Sequence, residues 1–89
     1  MFMQGSIIAG EFDSSLNEFA LQQVKYFETV SILNENQLNQ IYDYLKRNQH
    51  QEDGQIITLN DQMPIRLSQE EINQFIVDLE KVKSMYFNN

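Results

Sequence analysis

The sequence predicts an α+β fold, a small single domain spanning residues 1–89. About four mostly antiparallel strands form a sheet, and two amphipathic helices pack on one face of it. Three observations carry this prediction. Ser68 to Tyr86 places apolar residues at helical spacing behind a complete helix-start signal. Asn34 to Gln49 repeats that pattern with a shorter stripe. Segments rich in β-branched residues lie outside these two stretches, separated by polar turns.

The first such segment is Ser6 to Phe12, where Ile7 and Ile8 open a strand and Gly10 allows a bulge or a close packing contact. Asp13-Ser14-Ser15 then reads as a turn or cap. Residues 14–24 fit two templates. Ser15 with Glu18 resembles a capping box, and Leu16, Phe19, Ala20, Val24 and Phe27 could line a helix. A helical turn or a hairpin arm therefore both stay open. From Val24 to Ile32 the β-branched and aromatic density favours a strand, with Val24, Tyr26, Val30 and Ile32 alternating against Lys25, Phe27, Thr29 and Ser31.

Asn34 caps a helix from Glu35 to about Gln49, with Leu38, Ile41, Tyr42 and Leu45 as its stripe. The polar run Gln49 to Gly54 is a loop. Gln55 to Asn60 and Met63 to Leu67 read as strands across a tight turn at Asp61-Gln62. Pro64 cannot donate to a ladder, so it belongs at an edge or at the first position of its strand. The last helix starts at the Ser68/Glu71 capping box and carries Ile72, Phe75, Ile76, Leu79, Val82 and Tyr86 on one face. Leu33-Asn34 and Leu67-Ser68 give the two helix starts a weak internal echo, which the shared needs of any strand-to-helix junction explain.

Composition bounds the function. Thirteen acidic against six scattered basic side chains give a net charge of −7, which opposes binding to phosphate backbones. No direct nucleic-acid binding is expected. The chain has no cysteine, so disulfide scaffolds, thiolate metal sites and cysteine nucleophiles are excluded. Small secreted domains lean on such staples, and their lack points to the cytoplasm. No apolar run approaches the roughly 18 residues of a membrane span. Met1 to Ser6 lacks the basic start and apolar core of a signal peptide.

No motif carries chemistry, and neither a catalytic role nor a cofactor is expected. His50 lies in the polar loop beside Glu52 and Asp53, at no metal-ligand spacing, and reads as a solvated loop residue. No serine sits in a nucleophile elbow. Glu52-Asp53 solvates a loop, and Glu70-Glu71 complements the dipole of the last helix. Gly5, Gly10 and Gly54 fit no phosphate loop.

What remains is association. The N-terminal apolar group either completes the core or makes an interface. Within it, Phe2, Ile8, Phe12 and Phe19 are the candidates for self-association, as a homodimer. Tyr42 and Tyr44 flank Asp43 on the first helix and point to different faces, which makes them candidates for a partner-binding surface. The expected function is a non-enzymatic protein-binding accessory module of the small bacterial or phage kind. The alternative, resting on net charge alone, is an acidic inhibitor or immunity-type protein that blocks a basic site on a nucleic-acid enzyme.

Overall fold

The computed structural model describes residues 1–59 and 64–87. It shows an α+β domain built from a four-stranded antiparallel sheet, a separate two-stranded hairpin and two helices. The sheet runs β1 (Phe2–Gln4), β2 (Ile8–Asp13), β3 (Glu18–Val24) and β4 (Phe27–Leu33), neighbours in space as in sequence. Then come α1 (Glu35–Arg47), β5 (Gln55–Thr58), β6 (Pro64–Leu67) and α2 (Gln69–Lys83). Pro64 opens β6, the position where its missing N–H costs least. The expected turn at Asp61-Gln62 lies outside the described residues.

Residues 14–24 resolve as a turn followed by a strand. Asp13 Oδ1 accepts from the N–H of Ser15 at 3.0 Å, the Ser15 hydroxyl at 2.6 Å and the N–H of Leu16 at 3.3 Å. That hydroxyl is therefore a donor to Asp13 and caps no helix. Asn17 completes the turn at φ 54°, a left-handed conformation that Asn tolerates better than most residues. Leu16, the first member of the supposed helical stripe, is 65% exposed. Phe19 and Leu21 point to the core with period two.

The strand expected over 24–32 is interrupted. Val24 pairs with Phe27 across a two-residue turn at Lys25-Tyr26, with Lys25 at φ 57°. Each side of β3 also carries a register shift, at Ala9/Gly10 on β2 and at Leu21/Gln23 facing β4. Gly10 is buried where a Cβ would collide with the Ala20 carbonyl and the Phe19 ring, so the expected close contact is present.

Both helices start at reciprocal capping boxes. Asn34 Oδ1 accepts from Gln37 N–H at 2.8 Å while Gln37 Oε1 accepts from Asn34 N–H at 2.9 Å. Ser68 and Glu71 exchange bonds in the same way at 3.2 and 2.8 Å. The whole apolar stripe expected on α2 and the segment after it is buried. It forms one core with the inward residues of the sheet and with Leu38 and Leu45 of α1. Ile8, Phe12 and Phe19 belong to that core, so of the four residues singled out for self-association only Phe2 reaches the surface.

One polar residue organises the N-terminal hairpin. Asp78, on the buried side of α2, accepts from the backbone N–H groups of Ser6, Ile7 and Ile8 at 3.0, 2.8 and 3.1 Å. These three donors lie between β1 and β2 and at the start of β2, and the carboxylate satisfies all of them inside the fold. Gly5 packs directly on that carboxylate, which occupies the space a Cβ would need.

Candidate binding surfaces

The outward face of the four-stranded sheet is built in rows by its cross-strand register. One row reads Phe2, Glu11, Ala20, Ile32 across the four strands. The next reads Gln4, Ala9, Gln23, Glu28. Val30 stands beside them on β4, and with Phe2, Ala9, Gln22, Gln23 and Glu28 it borders a groove of about 570 Å³.

Burial along β4 is inverted relative to residue type. Thr29 and Ser31 are buried with their hydroxyls 3.2 Å apart, whereas Val30 is 75% and Ile32 45% exposed. Parity fixes this outcome. Leu33 and Leu21 are core residues, Leu21 pairs with Ser31, and strand alternation then turns Val30 and Ile32 outward. Phe2, in the same row as Ile32, is 59% exposed. The sequence pattern set Val30 and Ile32 on one side of a strand and Thr29 and Ser31 on the other. It lacked only the parity that the turn at Lys25-Tyr26 and the Leu33 contact impose.

Tyr42 and Tyr44 are half-buried and already engaged within the fold. The Tyr42 hydroxyl donates to Glu80 at 2.7 Å, and Lys83 Nζ sits 4.0 Å from the ring centroid, so this side chain ties α1 to α2. That hydrogen bond to Glu80, then burial, holds the Tyr42 phenol above its ordinary pKa. Tyr44 donates to Gln55 Oε1 at 2.9 Å and borders a groove of about 250 Å³ with Ile41, Ile56 and Leu59. The two tyrosines face different elements and form no common patch.

A polar cleft of about 230 Å³ opens between the Gly5–Ile8 loop, the β3–β4 turn and the start of α2. Lys25 Nζ lies 3.0 Å from Glu71 Oε2 and donates to the Arg66 carbonyl at 3.0 Å. The Ser68 N–H and, secondarily, Lys25 hold the Glu71 carboxyl below its ordinary pKa. Glu71 thus serves cap and ion pair together, and the cleft's charged groups are occupied in joining β3–β4, β6 and α2. His50 is exposed in the first half of the α1–β5 loop. Among the described residues, no three His, Cys, Asp or Glu side chains converge to hold a metal ion. Nor is any helix among them long and apolar enough to cross a membrane.

Comparison with known proteins matched the chain to no family model, no curated protein and no solved structure.

Proposed function

We propose that this chain is a non-enzymatic protein-binding module, a small accessory protein that docks its partner on the outer face of the four-stranded sheet. The observation that carries this reading is the inverted burial of β4, which leaves Val30 and Ile32 in solvent while Thr29 and Ser31 are enclosed. Single exposed hydrophobes are ordinary, but these two join Phe2 on one continuous face. Covering an exposed aliphatic or aromatic side chain is worth roughly 1.5–3 kcal/mol, so a few of them supply the centre of an interface. A homodimer through this face would use Phe2, the exposed member of the N-terminal apolar group.

The acidic-inhibitor reading has its own support, because Glu11 and Glu28 stand on that same face and the chain carries a charge of −7. It requires partner binding that falls steeply with salt. Capture of partners on immobilised protein at low and high salt, wild type against Val30→Glu/Ile32→Glu, tests both. The docking reading expects a stoichiometric partner retained by wild type and lost by a variant with unchanged melting temperature. Equal retention by the two proteins overturns it.

A further inference from the structure

We infer that the outer sheet face takes a cationic protein segment, apolar anchors flanked by Lys or Arg, rather than a second copy of this chain. The inference rests on the docking reading above and adds the chemistry of the occupant. Each outward row of the face carries at least one carboxylate. Asp13 and Glu18 stand directly opposite each other across β2 and β3. The next row holds Glu11 among Phe2, Ala20 and Ile32, and the row after it ends in Glu28.

Among the described residues, every charged side chain at these outward positions is acidic. The sole cation within ion-pair reach is the Met1 amino group, 3.9 Å from Glu11. Lys25 is bound to Glu71, Arg66 lies on β6 of the separate hairpin, and Lys46, Arg47, Lys81 and Lys83 sit in the last turns of the two helices. Like charges placed directly across a ladder, as Asp13 and Glu18 are, disfavour the fold. A cationic partner converts that cost into attraction. A second copy does the reverse, because stacking this face on itself sets carboxylates against carboxylates on two chains of charge −7.

The spacing selects further. Along β2 the outward positions Asp13, Glu11 and Ala9 are two residues apart, about 7 Å, whereas on β4 the irregular register sets Ile32 and Glu28 four residues apart with outward Val30 between them. Side chains on one face of an extended segment repeat at that same interval. An extended segment lying along β3–β4 therefore sets one cation over Glu18, two apolar anchors over Ile32 and Val30, and a second cation over Glu28.

The test is an NMR titration of isotope-labelled protein with a short synthetic peptide carrying Lys, Leu, Leu and Lys at successive outward positions and Thr between them. Two control peptides replace Lys by Glu and Leu by Ala. Saturable shifts confined to the outward residues of β1–β4, about tenfold weaker binding of either control, and weakening with salt are expected. The double variant Glu11→Lys/Glu28→Lys should reverse the preference towards the Glu peptide. No binding of the Lys peptide, shifts mapping elsewhere, or an unaltered preference in the double variant overturns the inference. Concentration-dependent shifts on this face without peptide would identify a second copy as occupant, which also overturns it but leaves the docking reading standing. Loss of the docking reading itself shows instead in equal partner retention by the Val30→Glu/Ile32→Glu variant.

Discussion

Asp78 is the one charged side chain that the described residues bury completely, and it does so on the apolar face of a helix. Its sequence position falls between Phe75 and Val82 of the core stripe, a place where a carboxylate needs internal partners. Removing the carboxylate strands those partners in turn. Asp78→Ala leaves the Ser6, Ile7 and Ile8 donors without an acceptor and should destabilise the fold by about 3 kcal/mol or more, read by urea unfolding. Asp78→Asn keeps one carbonyl oxygen and should lose roughly half as much. Tyr86 gives a residue-scale test in pH. Its hydroxyl donates to the Leu33 carbonyl at 2.7 Å, and its ring meets Phe12 edge-on at 5.0 Å. Burial, reinforced by Glu35 and Glu18, pushes the phenol from 10.0 up to about 12. The unfolded chain then loses this proton before the folded one does. The stabilisation is complete below pH 10 and is lost as pH rises from 10 towards about 12. Alkaline denaturation followed by circular dichroism should show that loss, and Tyr86→Phe should remove most of it. Tyr42 shifts the same way and accounts for a residual dependence.

At the scale of elements, the helices were the most legible part of the sequence because their signals are local. A cap, its partner three residues on and a stripe at helical period all act within one segment, and both capping boxes formed. The strands were less legible because their partners are remote. β1 has three residues and makes sense only through its pairing with β2. β3 carried a false cap signal that Asp13 absorbs, and β4 revealed its outward face only once parity with β3 was fixed. For the same reason the tyrosine pair of α1 was visible as exposed-capable residues, while Val30 and Ile32 read as one side of a strand whose inward or outward sense was undetermined. The turn joining β3 and β4 gives a prediction at this scale. Lys25 adopts a left-handed conformation that costs a side-chain-bearing residue about 1 kcal/mol or more. Its bonds to Glu71 and the Arg66 carbonyl offset that strain. Lys25→Gly relieves the strain and loses the bonds, so it should be close to neutral. Lys25→Ala keeps the strain and loses the bonds, and should be less stable than the glycine variant by about 1 kcal/mol in thermal unfolding.

The whole molecule is governed by an imbalance of charge that its internal pairs do little to relieve. Thirteen acidic and six basic side chains leave −7 on an 89-residue chain. Among the described residues one side-chain ion pair, Lys25–Glu71, has good geometry, and Met1–Glu11 is exposed at 3.9 Å. Self-repulsion therefore acts across the surface at distances comparable with the Debye length of about 10 Å at 0.1 M salt. Added salt screens the many repulsions more than it weakens the few attractions, because exposed pairs contribute only about 0–1 kcal/mol each. Raising sodium chloride from a few millimolar to a few tenths molar at neutral pH should thus raise the melting temperature by several degrees, an amount set by the small enthalpy of a domain this size. Near the isoelectric point of about 4.4 the net repulsion vanishes, and the same salt step should leave the melting temperature unchanged or lower it. A salt response at neutral pH with the opposite sign would mean that attractive pairs dominate the surface. It would also count against a sheet face open to an external cation, since such a face needs carboxylates that the fold itself leaves uncompensated.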